Sequence, residues 1–355
     1  MRMAESPDSS RIDASCSRHG RKVLIASSTT ASATRRTMRL GFYTDYTPDI
    51  AQFAQATGFT SVELSAWPQS SLNADEVTDA QIKDIRADLE ARDIEISALG
   101  YYPNFQAVDD QEAAEYKRYF RKVLALADRM DVPTVCTFAG QTPGRSVEDC
   151  LEPFAGAFTD FCHEAEDLGI RIGIENCPML NHKTRTGENM AYSPEIWAAM
   201  FEAVPSRALG LEIDPSHLVF LGIDYVRAIQ DFGDRIVHFH AKDIDIDERK
   251  RGVLGFYGQA FGELRGFGNG WWRFRAPGWG VVDWRAVITA LTDAGYEGNV
   301  DIEHEDEVFA AAAMSKIDGE ADIVEMLGKE PNALVLGYRF LAPLMPLAPT
   351  QLLPH

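Results

Sequence analysis

Arg171-Ile172-Gly173-Ile174-Glu175-Asn176-Cys177-Pro178 is a short apolar run that stops at a carboxylate. Strand residues alternate between two faces, so Ile172 and Ile174 share one side and Glu175 takes the other. The pattern returns three times downstream: Leu209-Gly-Leu-Glu-Ile-Asp214-Pro215-Ser216-His217, Ile236-Val-His238-Phe-His240-Ala-Lys242-Asp243 and Val300-Asp-Ile-Glu303-His304-Glu305-Asp306. In each, aliphatic residues keep one parity and a metal-ligand residue type closes the other.

Working outward, short apolar runs at 40–44, 61–64, 94–99 and 134–138 complete eight predicted strands. Amphipathic segments at 48–56, 79–92, 112–130, 147–168, 194–203 and 284–294 separate them. Thr47-Pro48, Thr78-Asp79 and Ser193-Pro194 read as helix starts, and Gly58, Gly169 and Gly295 as helix ends. Such regular strand–helix alternation implies parallel strands with right-handed crossovers. The fold class is therefore α/β, a (β/α)8 TIM barrel over residues 38–330. An open doubly wound sheet is the competitor, but no G-x-G-x-x-G follows the first strand.

Three segments depart from the pattern. The connection from His240 to Trp284 is a long insertion after the seventh strand, rich in aromatics and glycine. A further helix is expected at 313–328, followed by an apolar C-terminal tail, 331–355, that packs on the barrel or joins a homo-oligomer interface. Residues 1–37 carry seven Lys/Arg against three Asp/Glu and few large apolar residues, and read as a disordered tail. With Met38 just before the first strand, an upstream start codon explains that tail better than a transit peptide does.

Bulk properties narrow the function. A net charge of −20 over 355 residues argues against nucleic acid or an anionic membrane as partner. No run of 18 apolar residues occurs, so no membrane span is expected. The five cysteines include no C-x-x-C pair, which speaks against a disulfide framework or a structural zinc site and suits a reducing cytoplasm.

Active sites of such barrels lie at the C-terminal ends of the strands. Glu175, Asp214, His240 and Glu303 end four consecutive strands with axis-facing parity. Three carboxylates and an imidazole converging there would repel and desolvate one another unless a cation neutralised them. The set, lacking a thiolate, suits one hard or borderline divalent ion, Mn2+, Mg2+ or Co2+ before Zn2+. His238 and Glu212 face inward one layer deeper, as partners orienting the ligands or as a buried polar pair.

The segments around Glu175-Asn176, Asp214-Pro-Ser-His217, His238-Phe-His240-Ala-Lys242-Asp243, Pro277-Gly-Trp-Gly280 and Glu303-His304 resemble the xylose-isomerase-like TIM-barrel superfamily of sugar phosphate isomerases and epimerases. The resemblance implies Glu175, Asp214, His240 and Glu303 as metal ligands and His217 at the substrate. It further implies proton abstraction next to a carbonyl, with Glu175 and Glu303 as the catalytic base and acid. The DNA-repair endonucleases of that superfamily need more histidines than this chain offers. Lys242, Trp67 and Asn176 are further expected substrate contacts; the other role for Lys242 is a salt bridge to Asp243 or Asp245. Arg265, Arg273 and Arg275 could hold an anionic group, but without a glycine-rich phosphate cradle the expected substrate is an unphosphorylated sugar or cyclitol. A lyase acting on a keto-sugar, keto-inositol or 3-oxo-glycoside would use the same site, and a non-catalytic sugar-binding subunit is the second alternative.

Overall fold

The computed structural model describes residues 38–181, 184–262, 268–309 and 332–346. Eight parallel strands close a barrel: β1 (Arg39–Thr44), β2 (Ser61–Ser65), β3 (Glu95–Gly100), β4 (Thr134–Thr137), β5 (Arg171–Glu175), β6 (Leu209–Ile213), β7 (Ile236–His240) and β10 (Asn299–Ile302). β1 closes the circle by pairing with β2 on one side and β10 on the other. The expected (β/α)8 barrel is thus the observed fold.

Alternation explains the two surfaces of the wall. Ile172, Ile174, Leu211, Ile213, Phe239, Val300 and Ile302 are buried in the apolar layer between strands and helices. Glu63, Glu175, Glu212, His238, His240 and Asp301 take the opposite parity and are buried on the axis side. Gly41 is needed for close approach, since a Cβ there would strike Ser61 and Asp301.

The outer helices are α1 (Pro48–Thr57), α2 (Asp79–Glu90), α3 (Asp110–Met130), α4 (Val147–Leu168) and α5 (Pro194–Ala203). Their starts follow the sequence signals. Thr47 accepts the amide of Ile50, Thr78 and Gln81 form a reciprocal capping box, and Gly58 and Gly169 end their helices at φ 104° and 71°.

Two assignments need correction. The patterning places no helix between β6 and β7, whereas the structure has α6 (Pro215–Leu221) and α7 (Tyr225–Phe232). Both are shorter than the window of about 11–18 residues over which helical periodicity stands out in a sequence. The insertion after β7 is not a plain loop. It holds an antiparallel pair, β8 (Asp243–Ile246) with β9 (Trp272–Arg275), and a short helix, α8 (Glu248–Leu254), before α9 (Trp284–Asp293).

Within the C-terminal tail, α10 (Ala333–Leu341) joins the core through Leu334, Val335 and Leu341 and sets Tyr338 on Phe59 at 4.9 Å. The N-terminal tail, the helix expected at 313–328 and Arg265 lie outside the described residues. Among the described residues, no helix is long and apolar enough to cross a membrane.

Candidate active site

The axis-facing side chains form two layers. In the lower one, His238 Nδ1 lies 2.8 Å from Glu212 Oε1 and its Nε2 lies 3.1 Å from Asp301 Oδ2. Ser61 donates to Asp301 at 2.6 Å, and Ser97 donates to its other oxygen. The Tyr102 hydroxyl stands 2.5 Å from Glu63 Oε1 and 3.0 Å from Glu212 Oε2. Burial works against charge on His238, but Asp301 and Glu212 push its imidazole up to about 10. Burial and the neighbouring Glu212 charge push Glu63 upward, offset in part by His240 and His238.

His240 links the layers. Its Nε2 contacts Glu63 Oε2 at 2.6 Å and Glu212 Oε1 at 3.0 Å, which fixes the ring. Its Nδ1 makes no hydrogen bond and points up, 3.6 Å from Glu175 Oε1 and 3.5 Å from Glu303 Oε2.

The upper layer is built by strand ends. Glu175 closes β5. Asp214 follows β6 and caps α6, its Oδ1 accepting the Ser216 amide at 2.8 Å with Pro215 in the first turn. That cap sets His217 one turn into α6, with its Nε2 3.4 Å from Glu175 Oε1 and 3.5 Å from Asp214 Oδ2. Lys242, beyond β7, reaches Glu303 at 2.5 Å, Glu305 at 2.8 Å and Asp214 at 3.1 Å. Burial opposes charge on Lys242, yet these carboxylates hold its ammonium well above the usual lysine range. Burial likewise opposes charge on Glu303, and Lys242 with His240 holds its carboxyl well below the usual range.

One ammonium thus faces the carboxylates of Glu175, Asp214, Glu303 and Glu305. Glu175 Oε1, Asp214 Oδ2, His240 Nδ1 and both nitrogens of His217 are buried without a hydrogen bond. Each of the 3.4–3.6 Å contacts here pairs a histidine nitrogen with a carboxylate oxygen, and an unprotonated nitrogen in that place repels the carboxylate unless something positive sits between them. Donors about 2.1 Å from one ion stand about 3.0 Å apart at right angles and about 3.4 Å apart at tetrahedral angles, so the 3.6 and 3.5 Å from His240 Nδ1 to Glu175 and Glu303 are close to the spacing of ligands sharing a divalent ion.

Of the expected ligands, His240 Nδ1 comes to 3.6 Å from Glu175 and 3.5 Å from Glu303, while the set that also contains Asp214 has a different imidazole, His217. One set of donors within 4.8 Å of one another consists of Glu175, Asp214, His217 and Glu303. Other expected contacts fall elsewhere. Asn176 clasps the backbone of Asp214, donating to its carbonyl at 2.9 Å and accepting its amide at 2.7 Å, so it positions Asp214 instead of meeting substrate. Trp67 packs on Tyr101 at 4.7 Å, away from the cavity. Lys242 bonds to neither Asp243 nor Asp245. Asp243 accepts the amides of Gly278 and Val282 and the indole of Trp284, while Asp245 pairs with Arg273. Arg275 is taken by Asp306.

A cavity of about 410 Å³ opens above the carboxylates, walled by Phe138, Phe220, Trp272 and Phe274. Phe220 and Trp272 stack at 4.4 Å and 7°, and Lys242 Nζ lies 4.4 Å over the Phe274 ring. Part of the insertion therefore forms a wall of this cavity through β9. Glu63 escaped the sequence reading although it follows the same rule, a lone carboxylate of inward parity in Ser61-Val-Glu63-Leu64. Tyr102, just beyond β3, gave no comparable signal.

A closed eight-strand barrel with buried carboxylates and imidazoles at the C-terminal ends of its strands defines a TIM-barrel protein whose polar cluster lies where active sites of this fold are built. The model of the family described as "Xylose isomerase-like TIM barrel" matches residues 51–328, and the chain belongs to that family. It is 26% identical over 323 residues to the uncharacterised protein YfiH of Bacillus subtilis (strain 168), covering 80% of this chain and 98% of that one. It is 30% identical over 163 residues to inosose dehydratase of Lacticaseibacillus casei, spanning 45% of this chain and about half, 49%, of that enzyme. The fold matches a crystal structure of D-psicose 3-epimerase in the presence of D-fructose with a TM-score of 0.59, at 21% identity over 85% of this chain and 99% of the other.

Proposed function

We propose that the chain is a divalent-metal-dependent isomerase or epimerase acting on a neutral sugar or cyclitol. The observation that carries this is the group of buried acceptors without a hydrogen bond at Glu175, Asp214 and His240, where the Asp214 oxygen has the Lys242 ammonium 3.1 Å away. Glu175, Asp214, His240 and Glu303 would hold the ion. His240 is preferred over His217 as the nitrogen donor because Glu63 and Glu212 anchor its far nitrogen, the arrangement that fixes metal-binding imidazoles. A divalent ion held there supplies Lewis acidity toward a carbonyl oxygen and its neighbouring hydroxyl.

The chain's own residues do the rest. Glu175 and Glu303 flank the cavity floor, one taking the proton from the carbon next to the carbonyl and the other returning one. His217, with neither nitrogen bonded, meets a substrate hydroxyl. Lys242, positively charged beside Glu303, stabilises negative charge developing on the substrate oxygen. Phe220, Trp272 and Phe274 cover an apolar sugar face and keep water out. Among the described cavity-lining residues, Lys242 is the single lysine or arginine, and it is shared by three carboxylates, which favours an uncharged substrate.

A second reading has the favour of one comparison. Dehydration begins with the same proton abstraction and ends by expelling hydroxide, and part of the chain resembles an inosose dehydratase. The test is solvent-deuterium exchange into free keto-sugars and keto-inositols, with product analysis, for wild type, Glu175→Gln and Glu303→Gln. Both variants should fold and lose exchange; wild-type exchange in either removes the acid–base assignment. Deuterated, isomerised product supports the isomerase, and an unsaturated product the dehydratase.

A further inference from the structure

Glu175 stands at the junction of two donor sets. One is the oxygen-rich group with Asp214, His240 and Glu303. The other is Glu175, Cys177 and His217, whose donor atoms also lie within 4.8 Å of one another. We propose that this second set is a soft-metal site: Zn2+ or Cd2+ binds through the Cys177 thiolate, a His217 nitrogen and the Glu175 carboxylate.

Three observations support it. Glu175 and Cys177 both line the cavity, while Asn176 between them is tied to β6. His217 is 2% exposed, and its ring nitrogens make no hydrogen bond to a nitrogen or oxygen; the partner beside it is the Cys177 thiol. A thiol is a weak hydrogen-bond partner for a buried imidazole, and a bound ion would engage both groups more strongly. The ring is also held in place, edge-on to Phe274 at 5.3 Å and 85° and to Phe220 at 6.0 Å and 83°.

The chemistry of the donors selects the ion. A thiolate, an imidazole and a carboxylate suit zinc and cadmium, whereas magnesium and manganese prefer oxygen. Three protein donors leave a fourth position open to the cavity, as in zinc sites that accept water or substrate. Binding replaces the thiol proton: M2+ and Cys–SH give the metal thiolate and one proton released to solvent. The occupant also takes Glu175 from the oxygen-rich set and His217 from the substrate. A soft ion is consequently an inhibitor of this enzyme. The donor set stands without the proposed function, but the inhibition rests on it.

The experiment titrates CdCl2 into the full-length, Mn2+-loaded protein and follows the ultraviolet thiolate-to-cadmium charge-transfer band. Wild type should gain the band with one equivalent. Cys177→Ser and Cys177→Ala, checked for native circular dichroism and melting, should lose it, and His217→Ala should weaken cadmium binding at least tenfold. Absence of the band in wild type, or its persistence in both folded Cys177 variants, overturns the site. The same titration is repeated on solvent-deuterium exchange. Inhibition that tracks the band supports the shared Glu175; full exchange with the band saturated overturns the overlap. If wild type shows no exchange at all, the proposed function fails, and the band alone still decides the soft-metal site.

Discussion

Two layers of ionisable side chains share the barrel axis, and by residue type both could hold a metal. Glu63, Glu212, His238 and His240 offer donor atoms within 4.8 Å, as do Glu175, Asp214, His217 and Glu303. They differ in how their atoms are paired. Below, Glu63, Glu212, His238 and Asp301 are closed by Tyr102, Ser61 and Ser97 into a network in which every side-chain N and O atom of these seven residues is hydrogen-bonded or not fully buried. Above, one oxygen each of Glu175 and Asp214, His240 Nδ1 and the ring nitrogens of His217 are buried without a hydrogen bond to nitrogen or oxygen, and Lys242 is the one ammonium among them. A satisfied polar cluster rigidifies a core, whereas an unsatisfied one needs a partner from outside. The lower layer therefore reads as support and the upper layer as the working site.

That contrast can be broken by experiment, and the largest effect should come from the upper layer. Glu303→Gln should lower solvent-deuterium exchange by about 10²–10⁴-fold with little change in melting temperature, since general acid–base groups contribute on that scale. Loss of fold instead of exchange would move Glu303 to the supporting layer.

The next effect belongs below. Glu63→Ala takes from His240 Nε2 and the Tyr102 hydroxyl their shared carboxylate, leaving Glu212 to both, and should destabilise the protein by about 3–5 kcal/mol, the usual result of removing one partner of a buried ionic network. Denaturant unfolding measures this. A change under 1 kcal/mol would mean the network is not structural.

Glu63→Gln sharpens the comparison. It keeps the shape and a hydrogen bond to His240 but removes the charge, so the fold should survive while Mn2+ affinity falls about 10–100-fold. Unchanged affinity in a competition titration with a chelating dye would argue that His240 is not a ligand. The smallest effect is expected at the cavity wall. Phe220→Ala removes the partner stacked on Trp272 and should raise KM for a sugar several-fold while kcat changes less. A selective loss of kcat would instead place Phe220 in control of the catalytic geometry.

The sequence alone determined the barrel, because strand parity and strand–helix alternation are local properties, written within a few residues of one another. It also determined that Glu175, Asp214, His240 and Glu303 end strands on the axis side. What it could not determine was pairing across the barrel. His217 and His240, 23 positions apart in the chain, both reach Glu175, and Glu63 meets His240 across 177 residues, only because closure brings β2, β5, β6 and β7 to one axis. Tertiary structure likewise gave Asn176 to the Asp214 backbone, drew the insertion into a hairpin, and left one layer paired and the other open. Which buried atoms find partners depends on distances set by the closed barrel, and a one-dimensional pattern carries residue type and facing but not those distances.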